Sequence, residues 1–362
     1  MTKADSPIQI GKRLCKNRIT MAPTVKFAAG EDGMVTEEFV KHYEARAAHN
    51  VGLIVVEATA VAKDGRLAPS QLGLWCDEQI EGHKKITDAV HKYNTLIIPQ
   101  IHHGGLGTHP DCGPAVSPSA TVWNNGFREV EAQELSHDDI KKIVNQFIDA
   151  AIRAKKAGYD GVQLHACHAY LINDFASNVN KRTDEYGGSV CGKARLGCEI
   201  IEGIRKACGE DFIISARISG ADPSVAESKE VAECYIKAGC DYLQVSCGIA
   251  EFDDVSYEDS LPYNKIAALG VEMHEHFKGR IPVSTVNDLR TVDKVRYLLE
   301  HDLVDTVDLG CGLLADPAFA EGILYDAPYV ACYSCKECAF GPRHIHPCPA
   351  MKVRGANEFS LG

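Results

Sequence analysis

Gly161-Val162-Gln163-Leu164-His165 is a short apolar run that passes at once into Ala166-Cys167-His168-Ala169-Tyr170, and this succession decides the fold. The run has the length and composition of a buried strand, while the residues after it are polar and reactive. Upstream stands Ser136-His137-Asp138-Asp139, a hydroxyl followed by acids, which marks a helix start. The same alternation continues in both directions. Strand runs fall at 18–22, 52–58, 96–101, 161–165, 212–217, 242–246, 281–284 and 306–309. Helices are predicted to begin near Thr36, Asp77, Ser136, Lys193, Val225, Asn264, Leu289 and Asp316. Eight strand–helix units predict an α/β fold, a (β/α)8 TIM barrel rather than an open doubly wound sheet.

The chain's 362 residues accommodate one such barrel and an appendage. Residues 1–326 read as the barrel and 327–362 as a short Cys-rich C-terminal extension, because irregular segments rich in Cys, Pro and His replace the alternation there. A net charge of −12 with no Lys/Arg block argues against nucleic acid as a partner. No apolar run approaches the roughly 20 residues a membrane span needs, and the first residues lack the order of a secretion signal, so the expectation is a cytoplasmic protein. Most of the 15 cysteines, among them Cys198, Cys208, Cys234 and Cys240, lie in apolar segments and read as buried, reduced thiols.

In a TIM barrel the working residues follow the strands' carboxyl ends. Here those are Gln100, His102 and His103 after the third strand, His165, His168 and Tyr170 after the fourth, and Arg217 on the fifth. Two imidazoles three residues apart offer two donors for a carbonyl oxygen, and a phenol beside them offers an acid. A metal pair and hydrogen-bonded core histidines are the alternative readings.

Four ordered blocks carry a resemblance. Lys16-Asn17-Arg18-Ile19-Thr20-Met21-Ala22-Pro23, Leu53-Ile54-Val55-Val56-Glu57-Ala58-Thr59-Ala60, His165 to Ile172, and Arg182-Thr183-Asp184-Glu185-Tyr186-Gly187-Gly188-Ser189 resemble successive signatures of the old yellow enzyme family. Leu313-Leu314-Ala315-Asp316-Pro317 is similar to its last barrel signature. The resemblance implies FMN over the barrel mouth, reduced by NAD(P)H or a partner, passing hydride to the β-carbon of an activated alkene. It implies that the backbone of Ala22, Pro23, Thr24 and Ala60 faces the flavin, that Gln100 bonds its pyrimidine edge, and that Arg217 sets positive charge near N1 and O2. His165 and His168 would then bind a substrate carbonyl, with His103 lining the substrate side, and Tyr170 would protonate the α-carbon. The phosphate end, at Asn287, Gly310 and Cys311, departs from the pattern: Asn287 replaces Gly, Cys311 replaces Arg, and Asp308 adds an acid.

The tail, Cys332-x2-Cys335-x2-Cys338 and Cys348-Pro349, supplies the four thiolates of a [4Fe–4S] cluster, with Zn2+ as the alternative. It resembles the segment after the barrel in 2,4-dienoyl-CoA and 2-enoate reductases, which continue into FAD- and NAD-binding domains. The expected function is therefore an FMN-dependent ene-reductase acting on a small-molecule α,β-unsaturated carbonyl compound. Its electrons would come from NAD(P)H or from an electron-donor subunit, and both homo- and hetero-oligomers are open. The alternative is a non-catalytic barrel that has lost flavin and serves as an electron-transfer scaffold for an active paralogue.

Overall fold

A computed structural model describes residues 3–124, 129–253, 255, 257–335 and 348–350. Eight parallel strands close into a barrel in chain order: β1 (Ile19–Met21), β2 (Leu53–Ala60), β3 (Leu96–His102), β4 (Gly161–Ala166), β5 (Ile213–Ser219), β6 (Tyr242–Ser246), β7 (Val283–Val286) and β8 (Thr306–Leu309). Closure is made where Asp308 of β8 pairs with Thr20 of β1. The strands are near-continuous apolar runs because helices cover the sheet outside and side chains fill it inside; all eight residues of β2 are buried.

The α-helices of the described residues are, in chain order, α1 (Glu37–Ala48), α2 (Ile80–His91), α3 (His137–Lys156), α4 (Leu171–Ala176), α5 (Val190–Cys208), α6 (Val225–Ala238), α7 (Lys265–Phe277), α8 (Val292–Glu300), α9 (Cys311–Ala315) and α10 (Phe319–Tyr325). α3 starts where the sequence predicts. Ser136 Oγ accepts from Asp139 N–H at 3.2 Å and Asp139 returns a bond to Ser136 N–H, a capping box that satisfies two free helix donors. Its buried face, Ile140, Ile143, Phe147, Ala150, Ala151 and Ala154, repeats at helical spacing against the sheet.

An antiparallel hairpin, Ile8–Ile10 with Arg13–Cys15, plugs the end opposite the site. Ile10 and Cys15 pack there against Leu53, Val55, Ile98, Ile213 and Tyr242 near the strands' amino ends. Above this plug the interior turns polar: Thr20, Gln100, Gln163, Ser215, Gln244, Ser284, Thr306 and Asp308 are all buried. Among the described residues no helix is long and apolar enough to cross a membrane. Cys208 and Cys240 are buried as expected, whereas Cys198 and Cys234 are only half-buried.

Candidate active site

The carboxyl ends of β3, β4 and β6 converge on a row of imidazoles. His102 Nδ1 lies 3.0 Å from His165 Nδ1, His165 Nε2 lies 3.1 Å from His168 Nδ1, and His168 Nε2 lies 2.8 Å from the Ser246 hydroxyl. Tyr170 stands edge-on to the row, its ring centroid 4.6 Å from those of His102 and His165. This clustering depends on a turn: His168 and Ala169 hold left-handed φ values of 63° and 57°, which fold the chain back after β4. Two such non-glycine residues cost roughly 1–3 kcal/mol each, so the surroundings must fix them. Ala169 N–H donates to Asn173 Oδ1 at 2.9 Å, and Asn173 Nδ2 donates to the buried Asp222 at 3.0 Å.

Burial keeps the row neutral. His168 is pulled down to about 3 by burial and then by the Arg217 guanidinium; His102 and His165 are held well below the ordinary imidazole range, chiefly by burial. One proton per ring permits two consistent arrangements. If Ser246 donates to His168, each ring donates to the next and His102 Nε2–H is the last donor. If every bond reverses, His102 Nε2 is a bare acceptor. In both, His102 Nε2 is buried with no partner among the described residues. His165 and His168 each spend both ring nitrogens within the row, so a substrate oxygen would reach them only by opening one of its contacts. The Tyr170 phenol, pushed up to about 12 mainly by burial, keeps its proton at any working pH.

Cys167 lies beside His165 and His168, their ligand atoms within 4.8 Å of one another. Burial pushes its thiol up to about 12. Two cavities, of about 540 and 200 Å3, are lined by the loops after β2 and β3 and by α3, and none of His102, His165, His168 or Tyr170 lines either. His103 lines the smaller one with Asp64 and Lys142. It therefore does not join the imidazole row.

The layer directly beneath the row is built from inward residues of the same and the next strand, with Arg217 paired in register beside His165. Gln100 Nε2 donates to Gln163 Oε1 at 2.9 Å, and Gln163 Nε2 donates to Ser215 Oγ at 3.1 Å. Arg217, two residues beyond Ser215, shares its inward face. Its Nε is buried without a partner among the described residues. Ala22 N–H donates to Leu309 O at 3.0 Å and Ala60 N–H to Leu72 O at 2.9 Å, so both backbones are fixed and offer surface rather than free donors. Thr24 Oγ1 is the one atom a Cβ on Gly310 would meet, at 3.8 Å, which leaves open space over the Gly310 backbone before α9. Asn287 has φ 96°, a conformation that favours glycine, and its side chain accepts from Asn264 Nδ2 at 3.0 Å.

The sequence profile of the NADH:flavin oxidoreductase / NADH oxidase family matches residues 6–327. The chain belongs to this family. This is the old yellow enzyme family. It is 36% identical over 319 residues to an NADH oxidase of Thermoanaerobacter brockii, covering 85% of this chain and 48% of that one. It is 33% identical over 327 residues to an NADPH dehydrogenase of Bacillus subtilis, covering 88% and 93%. The chain thus spans about half the length of the first relative and nearly all of the second. Among solved structures, a 2-naphthoyl-CoA reductase complex superposes with a TM-score of 0.85 at 25% identity, covering 93% of this chain and 55% of that one. The old yellow enzyme homologue from Zymomonas mobilis gives 0.78 at 27% identity, covering 91% and 94%.

One departure from the family pattern has a structural explanation. Asp308 points into the barrel, where the Ser284 hydroxyl donates to it and Tyr242 OH lies 3.4 Å away. It therefore belongs to the interior polar band. Sequence reasoning does not single out Ser246, Asn173, Asp222 or the Ser284–Asp308–Tyr242 cluster; Ser246 and Ser284, which close the predicted runs 242–246 and 281–284, are within reach of the strand-end rule. In the tail, Cys332 is half-buried and Cys335 exposed, Val330 N–H is tied to Asp316 at 2.7 Å, and Cys338 lies outside the described residues.

Proposed function

We propose that the chain binds FMN across the barrel mouth and reduces the C=C bond of an α,β-unsaturated carbonyl compound. When bound, the flavin supplies hydride to the alkene after taking electrons from NAD(P)H or a donor subunit. The observation that carries this reading is the pair of buried, unpartnered polar atoms at the mouth, Arg217 Nε and His102 Nε2. Buried polar atoms without partners are costly, on the order of 1–3 kcal/mol, and a polar guest removes that cost. Ala22, Pro23, Thr24 and Ala60 would give the ring its surface, Gln100 and Arg217 its polar contacts, and Asn287, Gly310 and Cys311 the walls of the phosphate end.

The chain's own part in the chemistry is positioning and proton supply. A substrate carbonyl oxygen that opens the His165–His168 contact receives hydrogen bonds from the two neutral imidazoles, which draw electron density from the double bond. Tyr170, protonated throughout, delivers its proton to the α-carbon. Cys332, Cys335, Cys338 and Cys348 would hold a [4Fe–4S] cluster that relays single electrons toward the flavin; Zn2+ is the competing occupant.

The test is purification without oxygen, an absorption spectrum, and assays of iron, zinc and acid-labile sulfide. Stopped-flow mixing of reduced protein with a panel of enones, enoates and enoyl thioesters follows. Flavin near stoichiometry with reoxidation by at least one class supports the reading. Absence of flavin after reconstitution with FMN sinks it.

A further inference from the structure

The outer wall of the barrel carries a thiol pair that nothing above uses. Cys191 lies in the first turn of α5 and is exposed; Cys234 lies on α6 and is half-buried. The Cys234 thiol donates to the Cys191 sulfur at 3.3 Å, across the seam between the two helices. Cys198, seven residues along α5, is half-buried, and its thiol is pushed up to about 12 by burial first and then by Cys234. The seam therefore presents one solvent-open sulfur in contact with a second, and a third that burial keeps as a thiol.

We propose that Cys191 and Cys234 form a thiol–disulfide exchange site, a reversible modification site for low-molecular-weight disulfides that closes as a cross-link between α5 and α6. A disulfide needs its sulfurs about 2.0 Å apart, so the pair must close by little more than an ångström, within the reach of side-chain rotation. Exposure sets the order of events. The Cys191 thiolate attacks one sulfur of a disulfide RSSR, forming the mixed disulfide at Cys191 and releasing RS⁻. Cys234 then gives its proton to the released RS⁻ and attacks the Cys191 sulfur, expelling the second RS⁻. Two protein thiols are oxidised, one RSSR is reduced to two RSH, and the two protein protons end on the released thiols. The second step is the slower one, because burial and the Cys191 contact push the Cys234 thiol up to about 12.

The test uses the full chain, reduced and purified without oxygen. It is treated with oxidised glutathione, quenched with N-ethylmaleimide at intervals, digested without reductant and mapped by mass spectrometry. The expected result is glutathionyl-Cys191 at early times, giving way to a peptide pair joined through Cys191 and Cys234 that dithiothreitol separates. Cys234→Ser should stop at glutathionyl-Cys191, and Cys198→Ser should leave the cross-link intact. Recovery of Cys191 and Cys234 as separate maleimide adducts, or of Cys234 joined to Cys198, overturns the proposal. The wild-type map depends neither on a variant's folding nor on flavin.

Discussion

Asp308→Asn should change the pH dependence of stability far more than its level at any one pH. The carboxyl is fully buried, and burial outweighs the opposing effects of Ser284 and Arg217, raising it from 3.8 to about 7. Between those values the folded protein holds a proton that the unfolded chain has released, so wild-type stability falls as pH rises, by about 1.4 kcal/mol per pH unit, and levels off above pH 7. The full span is about 4 kcal/mol, an order-of-magnitude figure from the shift. Asparagine cannot ionise. The variant should therefore gain on wild type by about 2–3 kcal/mol from pH 5 to pH 7, with no further gain above pH 8. Urea unfolding at pH 5, 6, 7 and 8 under nitrogen and constant salt, read by tryptophan fluorescence and circular dichroism with equal m values, measures this. A wild-type-to-variant difference that stays constant over that range would refute the reasoning, because it would mean Arg217 keeps the carboxylate ionised inside the barrel.

Tyr170→Phe should slow alkene reduction roughly 10²–10⁴-fold while flavin reduction keeps its rate, since only the second half-reaction needs the proton; separate stopped-flow half-reactions decide, and equal loss in both contradicts the acid role. With the phenol pushed up to about 12, that step in the wild type should be flat from about pH 6 to pH 9, and a limb falling in this window would point to a different acid. Arg217→Met should weaken FMN binding by roughly 10–100-fold, from about 1.5–3 kcal/mol of lost charge-assisted bonding, and lower the flavin midpoint potential. Titration of apoprotein with FMN and spectroelectrochemistry read the two effects, and an unchanged potential removes Arg217 from beside the flavin.

The barrel was legible because its strands are apolar runs bounded by chain-turning residues: 242–246 and 306–309 coincide with β6 and β8 as observed. α5 begins at Val190 rather than near Lys193, because Ser189 caps it by accepting from Gly192 N–H at 3.0 Å. α4 has no counterpart in the sequence reading, being only 6 residues long with no room for a periodic pattern. Nor has the small sheet of Val116–Ser117, Thr121–Asn124 and Glu129–Glu134 inside the loop after β3, whose strands are short and half exposed. His168 and Tyr170 follow β4, while Gln100, His165 and Arg217 lie within β3, β4 and β5 toward their carboxyl ends. Their bonding was not readable. It rests on left-handed backbone at His168 and Ala169, residues that rarely adopt it, and on Ser246 from a strand far along the chain.

The departures from the family pattern bear on affinity before they bear on chemistry. Asp308 is turned into the barrel toward Ser284 and Tyr242, so it does not set a carboxylate against a phosphate. Asn287 adopts the positive φ that a glycine would, keeping the backbone path at the end of β7. Cys311 remains as the departure without a charge of its own; one missing charge-assisted contact amounts to about 1.5–3 kcal/mol, or one to two decades in Kd. The imidazole row, Tyr170 and Arg217 stand on β3 to β6, whose mutual bonds do not pass through Cys311. A loss confined to the phosphate end therefore predicts a flavin that is more easily stripped but unchanged in its reactions once bound. Under the scaffold reading those two properties would fail together.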